Sequence, residues 1–315
     1  MFALCIESSH VRGMGHFFRA LNLSAALKQA GQACRILVNA HEPALRLLEG
    51  AGIEHVTVDL ADSESDGEGR LIEKERIRVW VNDRLATDAS HATKVKQRDI
   101  PLVTFDDRGA GAALADLNIC ALAFDATERL PGRRLLRGID YLILNPEIAH
   151  HRRVRHGSAR LLVTLGGSDT YGVTVKVVRC LRAAGRPATV IVGPGFRHDA
   201  ELAEVLGSGI ELKRGVSSLI AEFAHYDVAI TGGGITPFEA NASGLPCIVI
   251  ANELFEVPVA RELARLGGSV FAGHHAGMDE SILVRDLPAE TMSRAGMERI
   301  NLEGAARVVR ELISL

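Results

Sequence analysis

Short apolar, β-branched runs alternate with longer helical patterns along almost the entire chain. The run Phe2–Ile6 predicts a first strand, and Gly15–Gln29 predicts a helix because its apolar residues recur with a helical period. A second series of the same kind begins at Leu161–Leu165, after the basic stretch His150–His156. Strands that alternate with helices form parallel sheets with right-handed crossovers. The alternation therefore predicts the α/β class.

The 315 residues are enough for two domains of ordinary size. We predict an N-terminal α/β domain over residues 1–150, a C-terminal α/β domain over 158–295, and a C-terminal helix over 296–315 that packs back toward the N-terminal domain. The formal net charge is −3, and no apolar run approaches the ~18 residues of a membrane helix. We therefore expect no nucleic-acid partner and no stable membrane insertion.

The first glycine-rich turn, Val11–Arg19, follows the first strand and opens the first helix. Gly13 and Gly15 would let a ligand approach the backbone, and His16 near the first helical position could act as a base or donate to an oxyanion. The alternative is a glycine turn with a solvated histidine. A dinucleotide-binding fingerprint fits poorly, because the third glycine of GxGxxG would fall at Phe18.

The second turn, Leu165–Gly172, opens the C-terminal half between a strand and a helix. Its residues Gly166 and Gly167 permit close approach of a ligand, while Ser168 and Asp169 are good helix-capping residues. Capping alone would explain the two polar residues. We predict that this loop faces a ligand.

The third turn, within Thr231–Ile250, has three consecutive glycines, Gly232–Gly234, directly after a strand. Pro237 suits the first helical turn, and Glu239 follows two residues later. This pattern predicts a diphosphate against the glycine backbone and a carboxylate that accepts hydrogen bonds from ribose hydroxyls. The alternative is that Glu239 only complements the helix dipole.

Other positions carry weaker signals. Adjacent carboxylates at Asp106 and Asp107 are common in turns, and we predict neither a metal ion nor another cofactor. The pair His274 and His275 falls in a predicted late loop, where we expect solvent exposure. Five scattered cysteines without CxxC spacing predict free thiols in the cytoplasm.

Three elements together resemble the GT-B superfamily: Gly13–His16 followed by Arg19, Gly166–Asp169, and the glycines, acid and GLP of Gly232–Pro246. The nucleotide-sugar hydrolases of pseudaminic acid biosynthesis (UDP-2,4-diacetamido-2,4,6-trideoxy-β-L-altropyranose hydrolase) are the most similar. Spore-coat polysaccharide proteins and MurG-type glycosyltransferases resemble the chain more distantly. The resemblance implies two Rossmann-like parallel-sheet domains that face each other across a cleft.

The resemblance also implies an activity, a cytoplasmic, metal-independent hydrolase that releases UDP from a UDP-linked deoxyamino sugar in bacterial surface-glycan biosynthesis. His16 would match the catalytic histidine that activates water, and Asn252 would match an asparagine near the reacting centre. The implied substrate- and nucleotide-binding residues are Gly13, Gly15, Arg19, Arg84, Gly167, Ser168, Asp169, Gly232, Gly233, Gly234, Ile235 and Glu239.

The chain departs from the family at Asn82-Asp83-Arg84, where the family has a tyrosine soon after an aspartate. Arg84 therefore points to a more anionic group on the sugar. Two other functions stay open, a GT-B glycosyltransferase with an acceptor hydroxyl and a non-catalytic nucleotide-sugar binding protein. The sequence also leaves open the sugar, the nucleotide base and the oligomeric state.

Overall fold

A computed structural model describes residues 1–9, 14–125 and 127–315. The chain forms two compact units. The N-terminal unit contains residues 303–315 in addition to the described residues of the first 143 positions, apart from 14 and 15. The C-terminal unit contains residues 144–302, and so includes a segment that the predicted boundary at residue 150 gave to the N-terminal domain. The helix Ile148–His151 explains this, because it packs within the C-terminal unit.

Among its described residues, the N-terminal unit has one seven-stranded parallel sheet. The strands are β1 (Phe2–Ile6), β2 (Cys34–Val38), β3 (His55–Thr57), β4 (Val79–Asp83), β5 (Leu102–Phe105), β6 (Leu117–Cys120) and β7 (Leu135–Arg137). Their order is β3-β2-β1-β4-β5-β6-β7, so the direction of growth reverses between β1 and β4. Ligands of open parallel sheets bind outside the carboxyl ends of the strands at such a switch point.

Helices cover the faces of this sheet. They are α1 (Gly15–Gln29), α2 (Glu42–Gly50), α3 (Gly67–Glu75) and α4 (Ala89–Lys96), with 3₁₀ turns at Ala110–Leu114 and Ile139–Tyr141. The α1 helix presents Phe17, Leu23 and Leu27 as buried residues, as its helical period predicts.

A helix from the end of the chain completes the N-terminal core. This final helix spans Gly304–Ile313, and its residues Val308, Val309 and Leu312 lie in the same hydrophobic cluster as residues of β1 and β4. Burial of each such side chain contributes about 1.5–3 kcal/mol. The helix begins at a glycine because a Cβ on Gly304 would lie 1.9 Å from the backbone oxygen of Leu142.

The described residues of the C-terminal unit contain a six-stranded parallel sheet with the order β10-β9-β8-β11-β12-β13. Its strands are β8 (Leu161–Thr164), β9 (Ala188–Ile191), β10 (Ile210–Lys213), β11 (Val228–Gly232), β12 (Cys247–Ala251) and β13 (Ser269–His274). Its helices are α5 (Ile148–His151), α6 (Val173–Ala183), α7 (Asp199–Val205), α8 (Leu219–Phe223), α9 (Thr236–Ala242), α10 (Glu256–Arg265), α11 (Glu280–Leu283) and α12 (Ala289–Arg299). The final helix, Gly304–Ile313 of the N-terminal unit, is α13.

One arginine of the basic stretch is completely buried in the C-terminal unit. Arg155 donates through its guanidinium to the backbone oxygens of Phe223 at 2.9 Å and of Arg153 at 2.7 Å, and to that of Ser243. Phe223 ends α8, and Ser243 follows α9 directly, so the cation meets the negative ends of two helix dipoles. Burial lowers the pKa of Arg155 to about 10, which leaves it charged at neutral pH.

The α/β prediction is confirmed, and β1 and α1 have the predicted bounds. The sequence analysis did not identify β7, β10 or β13 as strands. All three are edge strands, and none is buried along its whole length. The prediction that His274 lies in an exposed loop is wrong, because His274 is a partly buried residue that ends β13.

Candidate functional site

Four charged or ionisable side chains meet at the carboxyl edge of the N-terminal sheet. His16 and Arg19 are three residues apart on α1 and therefore project from the same face of the helix. Asp83 is the last residue of β4, and Asp106 directly follows β5. Neighbouring parallel strands thus bring two carboxylates to the start of α1.

The guanidinium of Arg19 joins the two carboxylates. Its Nε donates to Asp83 Oδ2 at 2.7 Å and its Nη2 donates to Asp83 Oδ1 at 2.6 Å, while Nη1 donates to Asp106. The ring of Phe105 lies below the guanidinium, 4.9 Å from its central carbon. Only 3% of the Arg19 side chain is exposed, so these bonds are shielded from solvent.

His16 bonds to the same aspartate. Its Nδ1 faces Asp83 Oδ1 within hydrogen-bond distance, and 12% of the His16 side chain is exposed. Desolvation acts to raise the pKa of Asp83, but the charge and hydrogen bonds of Arg19, together with the contact from His16, outweigh it and lower that pKa to about 2. Arg19 Nη2 also lies 3.3 Å from this Nδ1. In the tautomer whose Nδ1–H donates to Asp83, Nε2 is the nitrogen that can take up a proton.

The structure places Arg84 on a neighbouring cavity. Arg84 is buried and forms ion pairs with Glu7 at 3.3 Å and with Asp88 at 3.4 Å. The cavity measures about 720 Å³ and is lined by residues that follow β1, β2, β3 and β4, among them Asp59. Three carboxylates and one guanidinium do not favour an anionic ligand group, so these surroundings do not support the more anionic sugar that Arg84 suggested.

The first glycine-rich turn, Val11–Arg19, contains two further predicted site residues, Gly13 and Gly15. A Cβ on Gly15 would meet nothing within 4 Å, so this position borders open space. Gly13 lies outside the described residues.

In the C-terminal unit, the loop after β8 contains a capping aspartate. The carboxylate of Asp169 accepts the backbone N–H groups of Val173 and Thr174, each at 2.8 Å, and so caps α6. Ser168 is 4% exposed, and its buried Oγ has no hydrogen-bond partner among the described residues. Gly167 directly precedes Ser168, and a Cβ on Gly167 would lie 2.7 Å from the Met14 Cβ, so this glycine is needed for close packing. The Ser168 hydroxyl is the polar group of the loop with unused bonding capacity.

The triple glycine lies where β11 meets α9. A Cβ on Gly232 would lie 2.9 Å from the Asn252 side-chain nitrogen, and a Cβ on Gly233 would lie 2.8 Å from the Glu256 Cβ. A Cβ on Gly234 would meet nothing within 4 Å. The first two glycines are thus needed for packing, whereas the third exposes backbone to a potential ligand.

A carboxylate at the start of α10 shapes the neighbouring loop. Glu256 accepts the backbone N–H of Asn252 at 2.7 Å and that of Glu253 at 3.3 Å, and it also accepts that of Gly233. Burial raises the pKa of Glu256. The Asn252 Oδ1 atom is buried and has no hydrogen-bond partner within the described ranges.

Glu239 lies on α9, and Ile235 directly precedes this helix. Desolvation raises the pKa of Glu239 to about 7, although a hydrogen bond from the backbone N–H of Asn145 acts in the opposite direction. Glu239 as a whole residue is partly exposed.

A stacked pair lies at the same edge of the C-terminal sheet. The rings of Tyr171 and His275 stack with centroids 4.3 Å apart, and the Tyr171 hydroxyl donates to Glu253 at 2.7 Å. Within the described part of the chain, no group of three or more His, Cys, Asp or Glu residues could hold a metal ion. No helix there is both long and apolar enough to cross a membrane.

The chain has two α/β units, one with the parallel sheet β3-β2-β1-β4-β5-β6-β7 and one with the parallel sheet β10-β9-β8-β11-β12-β13. This architecture is the GT-B fold. No protein-family model matches the chain. The chain is 26% identical over 293 residues to the spore coat polysaccharide biosynthesis protein SpsG of Bacillus subtilis, covering 85% of this chain and 82% of SpsG. The predicted GT-B fold is confirmed, and so is the predicted similarity to a spore-coat polysaccharide biosynthesis protein.

Solved structures show the same fold. The MurG structure from Acinetobacter baumannii has a TM-score of 0.68 at 14% identity, and the match covers 100% of this chain and 99% of MurG. The UDP-GlcNAc 2-epimerase of Neisseria meningitidis, solved with UDP-GlcNAc bound, has a TM-score of 0.64 at 12% identity, with 100% of both chains covered.

Sequence reasoning missed two residues of these sites. Asp83 was noted only as a departure from the family pattern, and its position at the end of a buried strand was the available signal. Glu256 was not singled out, although an acidic residue in the first turn of a helix after a strand is a recognisable pattern.

Proposed function

We propose that this protein is a nucleotide-sugar hydrolase that releases UDP from a UDP-linked deoxyamino sugar during the biosynthesis of a surface polysaccharide. The pairing of His16 with Asp83 carries this proposal. An imidazole whose Nδ1 is held by an ionised carboxylate is the arrangement in which Nε2 acts as a general base. The similarity to SpsG, a polysaccharide biosynthesis protein, supports the biological context.

The chemical step follows from this base. His16 Nε2 takes a proton from water while the water oxygen forms a bond to the anomeric carbon. The bond between that carbon and the diphosphate oxygen breaks, and its electron pair leaves with UDP. Asp83 stabilises the imidazolium that forms, and Arg19 keeps Asp83 ionised.

The C-terminal unit would bind the nucleotide. The backbone at Gly234 is open to a diphosphate, and the Ser168 hydroxyl has unused bonding capacity. The carboxyl of Glu239 would accept hydrogen bonds from ribose hydroxyls. Asn252 would contact the substrate through its unpaired oxygen.

A glycosyltransferase is the second candidate. The MurG similarity in fold favours it, because the same bond would break with an acceptor hydroxyl in place of water. A non-catalytic binding protein would retain the nucleotide sugar intact.

One experiment separates these functions. Purified protein is incubated with paired UDP- and dTDP-linked sugars, with and without acceptors, and free nucleoside diphosphate is measured. Release without an acceptor supports the hydrolase, release only with an acceptor supports the transferase, and tight binding without release supports the binding protein.

The His16→Ala variant tests the base. We expect it to bind UDP normally and to lose about 100-fold or more in turnover. The exposed His156, which pairs with Glu290, provides the control variant His156→Ala. Normal turnover by His16→Ala would exclude His16 as the base.

A further inference from the structure

The contacts of Arg19 extend the His16–Asp83 pair by two further links. Asp106 accepts from Arg19 through Oδ2 and from the backbone N–H of Leu122 through Oδ1, the latter at 3.0 Å. Asp106 is 3% exposed. A continuous chain of bonds therefore runs from the loop after β6, through Asp106, Arg19 and Asp83, to the imidazole, and Arg19 Nη2 also approaches His16 Nδ1 directly at 3.3 Å.

The formal charges of this chain are unbalanced. With a neutral imidazole, two carboxylates and one guanidinium sum to −1. Loss of the Asp106 charge would remove the excess, whereas loss of the Arg19 charge would double it.

Two other ionisable groups among the described residues lie near Asp106. Arg108 approaches the backbone oxygen of Asp106, but its guanidinium is paired with Glu128 at 2.5 and 2.9 Å. Burial raises the pKa of the nearby Cys120 thiol to about 12, so this thiol is uncharged at neutral pH.

We propose that Arg19 and Asp106 are positioning residues whose charges, carried to His16 through Asp83 and through the direct approach of Arg19, set the pH range in which His16 can accept a proton. This inference rests on the proposed role of His16 as a base and adds the device that regulates it. The nucleotide-binding role that the resemblance implied for Arg19 gives way to this one, because Arg19 is engaged by two carboxylates and is almost completely buried.

The test compares variants that change the charge in opposite directions. In Asp106→Asn, the imidazolium loses a favourable negative charge, so the midpoint of the His16 titration should fall by about one pH unit. In Arg19→Met, the imidazolium gains an uncompensated carboxylate, so the midpoint should rise by about one pH unit. Arg19→Lys keeps the charge and should stay within a few tenths of a pH unit of the parent protein.

The titration is read by NMR on protein labelled with ¹⁵N-histidine, and a His16→Gln variant assigns the His16 signals among the 12 histidines. Circular dichroism checks that each variant is folded. The Lys96–Asp116 ion pair supplies matched controls in the same unit. Its N–O distance is 2.7 Å, and Asp116 also accepts a backbone N–H, that of Leu102, at 2.8 Å.

Opposite shifts in Asp106→Asn and Arg19→Met, with no shift in Asp116→Asn or Lys96→Met, would support the proposal. Shifts in the same direction, or no shift in a folded Asp106→Asn variant, would overturn it. The NMR measurement needs no substrate. A failure of the proposed hydrolysis would appear separately, as an absence of UDP release by the parent protein.

Discussion

The carboxylate of Glu256 accepts the backbone N–H of Asn252 at 2.7 Å. The same carboxylate also bonds to the backbone of Gly233, so it connects the loop after β12 to the triple-glycine turn after β11. Backbone donors that are satisfied within the protein fix the shape of both loops before any ligand arrives. Glu256 is therefore the residue through which the proposed nucleotide site is preorganised.

Replacement of this carboxylate should weaken nucleotide binding. In Glu256→Ala, buried backbone N–H groups lose their acceptor, at a cost of about 1–3 kcal/mol in the free energy of unfolding. We expect the Kd for UDP, measured by calorimetry, to rise about tenfold or more as the two loops lose their fixed shape. Glu262→Ala on the same helix, where Glu262 pairs with Arg265, is the control. An unchanged Kd in Glu256→Ala would contradict this role.

A methyl group at Gly234 should affect the ligand but not the fold. The Cβ of Gly234→Ala would meet no protein atom within 4 Å, so we expect the melting temperature to stay within about 2 °C of the parent. Affinity for UDP should fall about tenfold, because the methyl group would occupy space near the diphosphate. Gly277 is equally unobstructed and provides the control Gly277→Ala. Equal UDP affinity in both variants would place the diphosphate elsewhere.

The raised pKa of Glu239 predicts that the free energy of unfolding depends on pH. Its folded-state pKa of about 7 lies above the usual value of 4.5, so the folded state holds the proton more tightly than the unfolded state. Stability therefore falls as the pH rises from about 4.5 to 7. In Glu239→Gln this loss is absent. The free energy of unfolding of the variant, relative to that of the parent, should therefore increase by about 1–3 kcal/mol from pH 5 to pH 8.

Urea unfolding at both pH values would measure the difference. The exposed Glu290 supplies the control Glu290→Gln, which should show no such gain. A parent–variant difference for Glu239→Gln that is the same at pH 5 and pH 8 would disprove the assignment.

Arg155 should be the most sensitive residue of the basic stretch. Arg155→Met would remove the guanidinium that donates to the buried backbone oxygens of Phe223, Ser243 and Arg153, so we expect a loss of about 3–5 kcal/mol in unfolding free energy. Arg152 is a matched control, because it is exposed and donates to one carbonyl, that of Met297, at 2.8 Å. Arg152→Met should cost less than about 1 kcal/mol. Equal losses of unfolding free energy in Arg155→Met and Arg152→Met, measured by urea unfolding, would contradict this prediction.

The central strands and the first helix could be predicted because their local pattern reflects their burial. β1 is buried at all five positions, whereas the edge strand β10 has the sequence IELK and no fully buried residue. An edge strand is stabilised by its pairing with a neighbour, and that pairing leaves little trace in its own sequence. This explains why β7, β10 and β13 were missed.

Some of the site residues could also be predicted from local sequence, whereas others depend on the assembled sheet. His16 is recognisable from the adjacent glycines and the start of a helix, but its partner Asp83 is 67 positions away. Only the parallel packing of β1 against β4 brings these two regions together. The capping role of Asp169 was foreseen as an alternative, because capping is a local interaction, while the engagement of Arg19 by Asp83 and Asp106 required the whole sheet.

The position of α13 has a consequence for biosynthesis. The core of the N-terminal unit contains Val308, Val309 and Leu312 of α13, yet the ribosome translates residues 144–302 before it reaches this helix. At about 5–20 residues per second, a ribosome needs roughly 8–30 s to make that intervening segment. The apolar surface that α13 will cover stays exposed on the nascent chain for this time. The C-terminal unit can therefore finish folding before the unit that precedes it, and a chaperone that binds apolar segments has a defined target in the interval.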